Sequence, residues 1–258
     1  MNRQDKLAII IFAIVASVVM VVLGVQWLVQ ASLPEHNEQT LCLADRKLAA
    51  HTVILVDRTD PITEAQSVSL RQEILRQKDR LAQFELMTII SIASRATAVP
   101  DPLFELCNPG TGDMANPWYQ NPDMIQDDYE KRFGAPLDRV IEGLMVGNIA
   151  PQSPIIETIE RVAKLENFSA AVGSRRLVVF SDLLQNSDGY TQYRVQPTVA
   201  DLDAPYVRDH LPGLRDVEVT VVYIQREKSE LLQTEEHVSF WRGFFERAGA
   251  RVMPFQYR

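Results

Sequence analysis

Residues 52–61, TVILVDRTDP, constrain the fold of this chain more than any other stretch. Thr52-Val53-Ile54-Leu55-Val56 is a short continuous run, mostly β-branched and apolar, with no polar alternation. A strand of that kind is buried on both faces, as strands are inside a parallel α/β sheet. The run stops abruptly at Asp57-Arg58-Thr59-Asp60-Pro61. An acidic, hydroxyl-bearing loop at the carboxyl end of a central strand lies where open α/β sheets place their ligand sites. Pro61 fixes its own φ, and a helical pattern begins at about Thr63.

The rest of the chain alternates in the same way. Residues 62–84 carry apolar positions near the helical period, including Val68, Leu70, Ile74 and Leu81, with Arg71, Glu73, Arg76, Lys78 and Asp79 as a solvated outer face. Residues 86–93 (LMTIISIA) read as a second strand, and 103–107 as a short strand returning antiparallel after Pro100-Asp101-Pro102. Residues 108–112 are a turn cluster, and 116–122 an aromatic, proline-marked loop. Residues 123–145 read as a helix interrupted near Gly134-Ala135-Pro136, followed by a loop over 147–152. Ser153-Pro154 predicts an N-cap with proline at the first helical position, opening a helix over 154–167. Residues 176–181 (RLVVFS) form another buried strand that ends at Asp182. A long loop over 183–216 follows, then a strand over 217–224, a helix over 229–248 closed by Gly249, and a last short strand over 250–255. Trp241, Phe244 and Phe245 sit at core spacing on that last helix. The order β-α-β-β-α-α-β-β-α-β implies an α/β fold, a doubly wound and mostly parallel sheet flanked by helices.

Ahead of this domain, residues 7–25 (LAIIIFAIVASVVMVVLGV) are almost purely apolar, and no charge occurs between Lys6 and Glu35. That length matches a bilayer's hydrocarbon core, and Trp27 falls where an interfacial aromatic anchor belongs. Arg3 and Lys6 precede the run while Glu35 and Glu38 follow it, so the positive-inside rule puts the N-terminus in the cytoplasm and exports the rest. A cleaved signal peptide is the competing reading, with Val29-Gln30-Ala31 as a cleavage-like site, but the apolar run is longer than a typical signal core. The expected plan is a cytoplasmic flank (1–6), a membrane-spanning helix (7–29), a linker (30–50) and a domain (51–258), anchored once in the inner membrane with the domain periplasmic in a bacterium.

A net charge of −8 argues against nucleic acid as the main partner, because phosphate binding needs a positive field. Four scattered histidines show no zinc-like spacing, and no dinucleotide, P-loop, nucleophile-elbow or HExxH motif occurs. Cys42 precedes the first strand at its amino end, and Cys107 ends a strand running the opposite way, so a Cys42–Cys107 bridge is geometrically feasible in an exported domain; two separate buried thiols are the alternative.

The pattern over most of residues 52–255 resembles a von Willebrand factor A domain. In that family the first strand ends in Asp-x-Ser/Thr-x-Ser, a loop before a later helix adds a threonine or serine, and the fourth strand ends in an aspartate, usually within Thr-Asp-Gly. Together these form a metal-ion-dependent adhesion site. Here Asp57 and Thr59 match, Pro61 stands where a hydroxyl is expected, and Asp60 is a neighbouring substitute. Ser153 maps to the loop hydroxyl and Asp182 to the late aspartate, without the following glycine. The resemblance implies Mg²⁺ or another divalent cation held by Asp57, Thr59, Asp60, Ser153 and Asp182. Two carboxylates at neighbouring strand ends also repel unless a proton or cation lies between them, and hard cations prefer such oxygen donors. Capping of the next helix by the same side chains is the plain structural alternative.

The function expected from these readings is a membrane-anchored module, not an enzyme, that engages an unidentified partner protein through the strand-end face. A scaffold with a vestigial metal site is the alternative. A metal-dependent phosphoester hydrolase fits less well, since it needs a further carboxylate and a base.

Overall fold

The β-branched run at residues 52–56 forms the centre of the sheet because both of its faces find apolar partners. A computed structural model describes residues 3–31, 36–44, 48–92, 101–116, 118, 120–145, 150–194, 196–227 and 229–258. In chain order the elements are α1 (Arg3–Ala31), β1 (Ala50–Asp57), α2 (Glu64–Asp79), β2 (Leu86–Ile92), β3 (Phe104–Cys107), α3 (Pro122–Tyr129), α4 (Ala135–Leu144), α5 (Ile155–Ala163), β4 (Ser174–Ser181), α6 (Pro205–Asp209), β5 (Val217–Tyr223), α7 (Glu235–Arg247), β6 (Arg251–Val252) and β7 (Gln256–Tyr257). The sheet runs β3-β2-β1-β4-β5-β6, with β7 also on β5. All pairings are parallel except β2 with β3.

Alternate residues of each strand feed two cores. Val53, Leu55, Leu177, Val179, Val219 and Val221 pack under α5 and α7, whose Ile156, Ile159, Phe240, Trp241, Phe244 and Phe245 are buried. Ile54, Val56, Ile89, Val178, Phe180 and Val222 face the other way, onto Leu70 and Ile74 of α2 and Leu137 and Ile141 of α4. Helices therefore cover both faces of a mixed, mostly parallel sheet, which is why the central strands β1 and β4 read as unbroken apolar runs over Val53–Val56 and Leu177–Phe180.

Several boundaries differ from the sequence reading. Helix α2 ends at Asp79 rather than near residue 84, because the chain turns there and Phe84 adopts a left-handed φ of 63°. On α2 the predicted faces are partly exchanged: Val68 is exposed, whereas Glu73 is buried and takes a hydrogen bond from Gln77 Nε2 at 2.7 Å. The interruption expected near residues 134–136 is a π-turn over Glu130–Gly134, which absorbs the loss of a helical N–H at Pro136. The last helix starts at Glu235, with Thr234 as its cap, not at residue 229. The long loop contains a 3₁₀ turn, Val199–Asp203, and α6. Residues 93–100, 117, 119 and 146–149, which include half of the loop expected over 147–152, fall outside the described residues.

Residues 36–44 are not a loose linker. Leu41 is buried, the Cys107 N–H donates to Thr40 O at 2.9 Å, and Cys42 and Cys107 form a disulfide. Cys107 pairs with Leu86, and Leu86 with His51, so this clasp holds the entering chain at the amino end of the sheet. Helix α1 contains a stretch, Ile9–Leu28, long and apolar enough to cross a membrane, and none of it is buried against the domain.

Candidate functional site

At the opposite rim, β1 and β4 end together. Val56 pairs with Phe180, so the register brings Asp57 beside Ser181, the last residue of β4. Asp57 is the organising group. Its Oδ1 accepts the Thr59 N–H at 3.0 Å and the Thr59 hydroxyl at 2.7 Å, a local turn of the kind aspartate favours. Its Oδ2 accepts the hydroxyls of Ser181 at 2.7 Å and Ser153 at 3.1 Å. Three segments far apart in sequence thus meet on one buried carboxylate.

Ser153 does not cap α5, contrary to the sequence reading. Pro154 is the residue before that helix, and the side chain of Gln185 does the capping, accepting the Ile156 N–H at 2.9 Å. Ser153 is freed for Asp57 because its backbone is pinned to Asn186 by two hydrogen bonds of 2.8 and 2.9 Å. Helix α5 is also shorter than expected, ending at Ala163.

Asp182 follows directly and is buried. Its Oδ1 accepts the Leu184 N–H and its Oδ2 accepts Arg226 Nε, both at 2.9 Å. Burial, then the charge of Asp57, pushes the Asp182 carboxyl up to about 7, while Arg226 and the Leu184 N–H pull the other way. The residue after Asp182 is Leu183, with φ of 60°. A left-handed turn there is natural for glycine and costs about 1–3 kcal/mol for a bulky residue. Complete burial of the Leu183 side chain in the core holds it in place.

Asp60 joins the site less directly. Together with Asp182 and Asp57, and after burial, it raises the phenol of the half-exposed Tyr193 above its ordinary value, so these groups share one field. Of the five residues expected from the sequence, Asp57, Thr59 and Ser153 are joined by hydrogen bonds and Asp182 lies within their electrostatic reach. Sequence reasoning missed Ser181, Arg226 and Tyr193. Ser181 was visible as the last letter of RLVVFS, and Arg226 as the first charge after the buried strand β5.

The donor set for a divalent ion is of the right kind, all oxygen, but it is short. Pro61 has no hydroxyl, and its carbonyl instead accepts Arg226 Nη1. Both Asp57 oxygens are occupied, and Asp182 already has a cationic neighbour. Among the described residues no group of three or more His, Cys, Asp or Glu side chains is arranged to hold a metal. As arranged, these residues fit a tethered cation better than a resident metal. The hydroxyls donate to Asp57, and the nearby His237 is buried and bonded to Tyr223, Gln192 and Trp241.

His237 and His51 are both buried, and burial lowers each to about 4 against the raising effect of a backbone carbonyl. Between pH 6.5 and about 4 the unfolded chain binds these protons and the native chain does not, so stability is lost as pH falls through that window. Each imidazole contributes roughly 3 kcal/mol. Asp182 acts with the opposite sign: its contribution is full below about 4 and is lost as pH rises toward 7. Two groups outweigh one, so the urea midpoint should fall between about pH 6.5 and about pH 4.5, and His237→Gln should flatten that fall. A midpoint constant over this range would contradict the assignment.

Fold and site define an α/β domain with a mostly parallel mixed sheet, helices on both faces and a polar strand-end site, behind an apolar N-terminal helix. Neither a family model nor a curated protein matches the chain. Among solved structures it is similar to proximal thread matrix protein 1 from the mussel byssus, with a TM-score of 0.38 and 13% identity over 81% of this chain and 46% of that one. The chain thus spans less than half the length of that protein, and the likeness adds nothing to the functional reading.

Proposed function

We propose that this chain is a membrane-anchored binding module, built on a von Willebrand factor A-like domain, that holds a partner protein through the strand-end face. One observation carries the reading. Asp57, Thr59, Ser153, Ser181 and Asp182, drawn from separate segments, converge at the carboxyl rim, while the tether and its disulfide lie at the amino rim. Strands of about eight residues hold the two rims roughly 25 Å apart. A face so placed is directed away from its point of attachment, as a capture surface requires. The disulfide supports an oxidising, exported compartment, the periplasm if the source is a bacterium, with α1 as the single inner-membrane anchor. The divalent cation that the resemblance implies enters this proposal only as a ligand that must displace Arg226 from Asp182.

The test is an in-cell crosslinking pull-down of the anchored protein, comparing wild type with Tyr193→Ala and Asp60→Ala. Both side chains lie at the face, and neither anchors the buried hydrogen bonds described above. The expected result is loss of a wild-type partner from both variants. Identical partner lists would remove the face from consideration as the binding surface.

A further inference from the structure

We propose that Arg226 supplies the strand-end site with a tethered cation in place of a divalent metal, so that the face works without one. This rests on the reading of the rim as the binding face, and it names the ion on which that face depends.

Three observations carry it. First, Arg226 contacts the two places where the metal-binding pattern departs from expectation or most needs charge. Its Nη1 donates to the carbonyl of Pro61, the position that lacks a hydroxyl, and its Nε donates to Asp182 Oδ2 at 2.9 Å. One planar guanidinium thus ties the end of the β1 loop to the end of β4, using a rigid fork of donors. Second, the arginine is held in position. Its backbone N–H donates to Gln233 Oε1 at 2.7 Å, and Gln233 Nε2 donates to the carbonyls of Ile224 and Asp182 at 2.7 and 3.2 Å. Gln233 therefore clips the segment after β5 that carries Arg226 to the residue that Arg226 neutralises. Third, the pair is shielded, with side-chain exposures of 15% for Arg226 and 2% for Asp182, so solvent weakens the attraction little. The carboxylate beside Asp182, Asp57, accepts from Thr59, Ser153 and Ser181 and has no oxygen left uncommitted.

A guanidinium and a divalent ion differ in ways that can be measured. The guanidinium cannot be removed by a chelator. It also occupies Asp182 Oδ2, so a metal gains a foothold there only when Arg226 is removed.

The experiment uses the full chain in detergent micelles at about pH 8.5, with thermal unfolding followed in excess MgCl₂ and in EDTA. Wild type should unfold at the same temperature in both. Arg226→Met leaves Asp182 without its counter-ion and should unfold roughly 10 °C lower in EDTA. Mg²⁺ should restore part of that loss. Arg226→Lys, which keeps a charge but not the fork, should remain indifferent to Mg²⁺. Should Arg226→Met fail to fold, the double variant Arg226→Met/Asp182→Asn removes both charges and should recover folding. A wild-type melting temperature that rises with Mg²⁺ would overturn the proposal, as would an Arg226→Met protein as stable as wild type in EDTA. Partner capture separates this from the binding reading. A partner retained in EDTA supports Arg226 as the cation. A partner captured only with Mg²⁺ overturns Arg226 as the cation and leaves the face standing. The melting comparison decides the identity of the cation even if no partner depends on the face.

Discussion

Cys42→Ser/Cys107→Ser should lower the unfolding free energy of the full chain by about 4 kcal/mol, read as a shift in urea midpoint. The bond joins residues 65 apart in sequence, and closing a loop of that length removes a large amount of freedom from the unfolded chain. A typical domain is stable by only ~5–15 kcal/mol, so the loss is a large part of the total. The native state gives reason to expect the full effect. Leu41 is buried beside the bridge, the Cys107 N–H bonds Thr40 O, and Arg132 Nη2 donates to Glu38 O at 3.0 Å, so the bond fastens a segment that already fits the sheet edge. Reductant added to wild type should reproduce the shift, and added to the double variant it should change nothing. A loss below about 1 kcal/mol would mean that residues 36–44 stay docked through these contacts in the unfolded ensemble as well, and that the bridge constrains little.

How much of this was legible beforehand follows from the physics of each element. Strands buried on both faces announce themselves, because Val53–Val56 and Leu177–Phe180 have no polar alternation to confuse with a helix. The opposing directions of β1 and β3 also sufficed to bring Cys42 and Cys107 to one edge. What stayed hidden depends on tertiary neighbours. Glu73 sits on the charged side of α2 by sequence, yet it is buried, with Arg76 and Gln77 of the same helix as its ionic and hydrogen-bond partners. Ser153 followed by proline is a good capping signal, but Gln185 supplies the cap from another segment and releases the serine to Asp57. At the site, the acidic strand ends were visible and their partners were not. Arg226 lies 44 residues beyond Asp182, and only the adjacency of β4 and β5 brings them together. Leu183 shows the same limit at the level of backbone. Nothing in the letters says that a leucine will adopt the left-handed turn natural to glycine, and burial of its side chain is what enforces it.

Asp57→Ala should cost about 3–5 kcal/mol, with Asp57→Asn much milder at about 1–2 kcal/mol. Alanine removes the acceptor for one backbone N–H and three hydroxyls at once, in a site where Asp57, Thr59, Ser153 and Ser181 are all buried. Water cannot readily replace it, so the donors lose their partners and pay the desolvation cost of each. Asparagine keeps one oxygen, enough to accept from both Thr59 donors. Its NH₂ then faces the two serine hydroxyls, which can reverse role and accept. It also removes the negative charge that acts on Asp182. Urea midpoints of the two variants, measured on the full chain in EDTA, give the comparison directly. A large loss in alanine with a small one in asparagine means the rim is held by hydrogen bonding around Asp57, and its charge is secondary to its shape. Equal losses would mean that the charge is what matters at this rim, and the account of Asp57 as a hydrogen-bond hub would have to be given up.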